Sequence, residues 1–190
     1  MVATRWARAL AVGTTGVVLA MPVGPASADT TAYDDPVGDS TSVDISRVRV
    51  AHRDAVTVRV RSAVPLAAGQ VYTFWVSTGR GPRSTYHVAF RANSDFEDRL
   101  GVVRPFDRTP SRFVPCPGLR ARADIFSDAP VAVRIPRSCL GDPKRVRVAV
   151  RFDDEITGDV DWAPERRTFG PWVKRERSHA VATSAGDMRK

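Results

Sequence analysis

The sequence predicts an all-β fold, an antiparallel β-sandwich of jelly-roll or immunoglobulin-like type with about eight or nine strands. Three observations predict it. Short stretches that alternate apolar and polar residues recur along most of the chain. Gly-, Pro- and Asp-containing turns separate them. No window carries apolar residues at the spacing of a helix face. A closed barrel is the alternative that this pattern permits.

Residues 29–42 are polar, include Pro36 and Gly38, and are expected to form a leading loop. Residues 43–51, with Ile45, Val48 and Val50, form a first strand, and 52–55 a hairpin turn. Val56, Val58 and Val60 then alternate with Thr57, Arg59 and Arg61, as in a strand with one wet face. Residues 71–78 place Val71, Thr73 and Trp75 on one side and Tyr72, Phe74 and Val76 on the other. A strand apolar on both faces belongs in the middle of a sheet. Gly79 to Pro82 is a turn, and Tyr86, Val88 and Phe90 mark the inward side of the next strand. Residues 93–98 read as a polar link. Weaker strands follow over 100–104, 112–115 and 119–125. Val131, Val133 and Ile135 alternate between two prolines, and Val146, Val148, Val150 and Phe152 alternate with Arg145, Arg147, Ala149 and Arg151. Val58, Val60, Phe74, Val88, Phe90, Val133, Val148 and Val150 are the expected common core. Trp162 and Trp172 are expected to pack down on the sandwich.

The chain opens with Arg5 and Arg8, an apolar run over 9–21, helix-ending Pro22 and Pro25, and the small residues Ala26, Ser27 and Ala28. That order is a secretory signal peptide, with cleavage expected after Ala28. The apolar run is shorter than the roughly 20 residues of a membrane span. The domain plan is a signal over 1–28, a β-sandwich over 29–177 and a polar tail over 178–190. Without the signal, 27 basic residues stand against 21 acidic ones, a formal charge of +6. Two cysteines in an exported chain predict one disulfide, Cys116–Cys139. The protein is expected to be secreted, extracellular, monomeric and not embedded in a membrane.

No G-x-S-x-G, no H-E-x-x-H and no Gly-rich phosphate loop occurs. The histidines are His52 beside a turn, His87 on a sheet surface and His179 in the tail. Carboxylates cluster twice: Asp34, Asp35, Asp39 and Asp44 around Pro36 and Gly38, and Asp153, Asp154, Glu155, Asp159 and Asp161 after the last long strand. Oxygen-rich loops with a glycine at the bend suit calcium, which takes about six to eight oxygens. Asp35, Asp39 and Asp44 are the candidate ligands of a structural calcium ion, set against the plain reading of solvated turn residues. Outward arginines, including Arg47, Arg49, Arg59 and Arg61, suit an anionic polymer such as a teichoic acid or acidic glycan, set against a simply solvated face. Nucleic acid is not expected, because the arginines interleave with valine rather than with aromatics.

Asp35-Pro36-Val37-Gly38-Asp39, then Val43-Asp44-Ile45-Ser46 and Val48 to His52, resemble the first strands of DOMON-like and family-nine-like carbohydrate-binding β-sandwich modules. Val133 to Gly141 and Asp161 to Pro164 resemble secreted proteins of actinobacteria. The resemblance implies a jelly-roll-like sandwich and, in some relatives, a structural calcium near the first aspartates. Such modules bind sugars, haem or nothing known, so the resemblance implies no particular ligand. The expected function is a non-enzymatic secreted module that recognises carbohydrate or cell-wall polymer, with Trp75, Trp162 and Trp172 as candidate ligand-contact aromatics. The alternatives are an extracellular protein-interaction domain without a sugar site and a hydrolase built on loop carboxylates.

Overall fold

The computed structural model describes residues 30–79, 81, 84–92, 99–126 and 128–175. The expected signal segment with its cleavage site, the whole of the 93–98 link and the expected tail with His179 lie outside them. The described strands are β1 (Thr30–Asp34), β2 (Ile45–His52), β3 (Ala55–Ser62), β4 (Gln70–Ser77), β5 (Thr85–Arg91) and β6 (Leu100–Val103). They continue with β7 (Arg112–Val114), β8 (Arg120–Arg122), β9 (Val131–Pro136), β10 (Arg145–Asp154), β11 (Val160–Ala163) and β12 (Val173–Lys174). A 3-10 helix, Arg137–Leu140, follows β9.

The strands form two antiparallel sheets, as expected for a sandwich and not a closed barrel. One runs β1-β2-β3-β9-β8 and the other β11-β10-β4-β5-β6-β7, with β12 also paired to β10. The inner faces meet in one core that contains Val58, Val60, Phe74, Val88, Val133, Val148 and Val150, with Phe90 packed against it. Phe74 and Phe90 stack at 5.8 Å, and Tyr72 meets Phe152 edge-on at 4.7 Å. Each fully buried Val or Phe here contributes about 1.5–3 kcal/mol relative to exposure. β4 is buried along its whole length between β10 and β5, which is why both of its faces are apolar.

Three short strands go beyond the alternating set. β1 replaces the first part of the expected leading loop: it pairs with β2 from Thr30↔Ala51 to Asp34↔Arg47. β11 and β12 both pair with β10. Residues 164–172 bulge out between them, and the Ala163–Pro164 peptide bond there is cis. The bulge is pinned inward at Gly170, whose N–H donates to the Val148 carbonyl. Tyr33 lies directly over Gly170: a Cβ there would stand 2.6 Å from the ring.

The outer face of the seven-stranded sheet is also covered, by residues 104–111. The Trp75 Nε1–H donates to the Asp107 carbonyl at 2.9 Å. Gly101 allows Pro110 to lie flat on β6, since a Cβ would meet the proline at 2.5 Å. His87 is therefore not the sheet-surface histidine that its place on β5 suggests: it is 6% exposed, beside Trp75. His52 is fully buried at the end of β2, with Nδ1 3.3 Å from the Val173 carbonyl. Cys116 and Cys139 are joined, with Cα atoms 5.4 Å apart. The bond ties the crossover from β7 to β8, where the chain changes sheet, to the 3-10 helix after β9.

Candidate cation site and aromatic cleft

Two groups of side chains carry chemistry, one where the leading loop meets β2 and one on the outer face of β10 and β11.

The first group joins both ends of the domain. Asp35 follows directly on β1, the turn at Gly38 (φ 93°) delivers Asp39, and β11 delivers Asp161. One carboxylate oxygen of each lies within 4.8 Å of the others. Asp161 thus takes the third place that the local spacing assigns to Asp44. Asp44 is spent on the loop itself: its Oδ2 accepts the Gly38 N–H at 2.8 Å, and its carbonyl accepts the Ala63 N–H. Its Oδ1 is buried without a hydrogen-bond partner. Asp161 is held rigidly, its Oδ2 accepting from Ile45 N and its Oδ1 from Trp162 N.

Asp35 is the telling residue. It is 6% exposed, and neither carboxylate oxygen has a hydrogen-bond partner. A buried carboxylate left like this is costly. Burial, then the charges of Asp161, Asp39, Asp44 and Glu165, push its carboxyl up to about 7. Burial also raises the Asp161 carboxyl, against the two backbone donors. The donor set is all oxygen, with uncompensated charge and unused lone pairs. That set fits a hard divalent cation and not a soft metal. The remaining second-cluster carboxylates do other work. Asp154 accepts the Ile156 and Thr157 N–H groups in its own turn, Asp159 binds Thr41 and Ser42, and Asp153 pairs with Arg151.

No protein-family model, curated protein or solved structure matches the chain. The fold and the two sites therefore stand on their own geometry.

The second group is built on Trp75. Its ring is fully buried, so it is a floor and not the ligand contact that its aromatic character suggested. Trp162 stacks on it, 5.1 Å between centroids and 8° from parallel. Phe106 meets Trp162 at 6.1 Å, and Phe169 packs behind Phe106 at 4.7 Å. Trp162 is half-buried and lines a cleft of about 400 Å³ with Phe106, Arg151, Val160, Arg166 and Arg167. Phe106 (φ 66°) and Arg167 (φ 57°) are both left-handed without being glycine. Such backbone costs on the order of 1–3 kcal/mol and gathers at ligand clamps. Trp172, the third candidate aromatic, is engaged from within: Arg145 and Arg147 lie 4.3 and 4.7 Å from its ring. A larger hollow of about 540 Å³, between residues 60–66 and 128–131, is lined by no aromatic ring.

Proposed function

We propose that the protein is an extracellular binding module that takes a carbohydrate or cell-wall polymer in the Trp162 cleft and uses a structural calcium ion to hold its leading loop. The observation that carries the reading is the partly exposed Trp162 ring, laid flat on buried Trp75, in a cleft that Arg166 and Arg167 also line, with Arg151, paired to Asp153, 5.5 Å from the ring centroid. A rigid planar ring offers a stacking face for the C–H side of a sugar, and guanidinium groups donate to hydroxyl or acidic substituents. The backbone strain at Phe106 and Arg167 supports a preorganised rim. The disulfide supports residence in an oxidising compartment. Among the described residues no helix is long and apolar enough to cross a membrane.

For the cation, Asp35, Asp39 and Asp161 are the ligands, and Asp44 adds a further negative charge to Asp35 and Asp161. The cluster is buried apart from Asp39, which suits a structural ion better than a carboxylate pair that must admit a sugar.

The test is retention on insoluble cell-wall polysaccharides, comparing the wild type with Trp162→Ala. Loss of about 1 kcal/mol of stacking should weaken binding several-fold. Equal retention by both proteins removes the cleft from the reading. Melting with calcium and with chelator tests the ion. Calcium at 100 times its dissociation constant should stabilise the wild type by about 2.7 kcal/mol, and Asp35→Asn should not respond.

A further inference from the structure

We propose that the outer face of the five-stranded sheet is a second docking surface, for a linear anionic polysaccharide. The inference is independent of the Trp162 cleft, which lies on the other sheet.

Pairing register places like charges side by side on this face. Arg47 stands directly opposite Arg61, and Arg49 opposite Arg59. Across β3 the row continues: Arg59 faces Ala132, which faces Arg122, and on β9 Arg134 faces Arg120. All seven arginines are exposed. Directly opposed like charges destabilise a sheet, so chance solvation is a poor reason to build them in register.

The face neutralises only part of this charge. Asp34 takes Arg47 at 2.7 Å, Asp54 takes Arg134 at 2.8 Å, and Asp124 lies 3.5 Å from Arg122. Arg49, Arg59 and Arg61 have no carboxylate partner among the described residues. The arginines also have little apolar surface to cover. The outward neighbours in register are Ala32, Ala51, Thr57 and Ala132, small residues that leave the guanidinium groups clear.

Charge complementarity makes the occupant a polyanion, and the shape of the face narrows its class. The strand backbone sets the arginine positions about 4.8 Å apart across strands and about 6.8 Å apart along them, a regular array that suits an extended sugar chain bearing acidic groups. No aromatic ring stands at any outward position of these paired strands, so bases have nothing to stack on. A flat pleated face inserts neither helix nor ribbon into a groove of duplex DNA. The accessible apolar residues at its outward positions are alanines and Pro136, too short to enter a lipid boundary.

The test uses the full chain without its signal, with heparin and polygalacturonate as probes. Neutral dextran, duplex DNA of matched charge and phosphatidylserine vesicles are the competitors. The variant is Arg49→Thr with Arg59→Thr, which keeps strand propensity and removes one opposed pair. The wild type should bind both anionic polysaccharides in about 0.1 M salt and ignore dextran. The variant should bind about tenfold more weakly, with a shallower salt dependence. It should also melt no lower than the wild type, because the repulsion is gone. Trp162→Ala should bind heparin as the wild type does. Undiminished binding by the arginine variant overturns the proposal. So does an equal loss in Trp162→Ala, which assigns the polyanion to the cleft, and so does tighter binding of DNA or vesicles than of polysaccharide.

Discussion

His87 sits on the outward side of β5, yet residues 104–111 close over that side and leave it buried beside Trp75, with its Nε2 lacking a partner. Burial, with Arg108 adding a like charge, lowers its pKa from 6.5 to about 4. The unfolded chain therefore takes up the proton first as pH falls. The stability this group contributes is complete above pH 6.5 and is lost as pH falls towards 4, by up to about 3 kcal/mol. Asp35 has the opposite sign. Its carboxyl titrates near 7 in the fold against 3.8 in the free state. In chelator its contribution is present below pH 3.8 and is lost as pH rises through 7. Urea midpoints in chelator between pH 4 and 7.5 should separate the two. His87→Gln should hold its stability better than the wild type on the acid side, and Asp35→Asn on the neutral side. Parallel curves for all three proteins would mean that neither group is desolvated in solution.

At the scale of the element, the bulge 164–172 depends on one close approach. Gly170 reaches the Val148 carbonyl only because it presents no side chain to Tyr33, whose hydroxyl donates to the same carbonyl at 3.2 Å. Gly170→Ala should cost about 1–3 kcal/mol by overpacking. Adding Tyr33→Ala should recover part of that loss, so the double-mutant cycle in urea should be non-additive. The long strands were legible for a local reason: alternation such as Val146-Val148-Val150 reports burial within a few residues. β1, β11 and β12 carry no such signal, because they are short and owe their pairing to β2 and β10. The same limit hid part of the candidate sites. Asp35 and Asp39 share a loop and could be paired by eye. Asp161 is 126 positions from Asp35, and only the return of β11 to the sheet brings it in. The burial of Trp75 and His87 was equally out of reach, because what covers them is irregular loop without periodicity.

For the whole molecule, the Cys116–Cys139 bond closes a loop of 23 residues that contains β8 and β9. In the chain-entropy model this contributes about 3 kcal/mol, so Cys116→Ser with Cys139→Ser should unfold at correspondingly lower urea. The closed loop also contains Phe126, 85% exposed on the stretch between the two strands. Exposed loop tips are where proteases cut. Chymotrypsin should cleave after Phe126 first, giving two bands on a reducing gel and one on a non-reducing gel. A second early cut outside the bridged segment would contradict this. The pieces on either side of the nick stay covalently joined, each still paired in its sheet. In surroundings rich in hydrolases, a severed backbone at that tip would then leave a clipped but intact molecule, and damage there would go unnoticed until the disulfide was reduced.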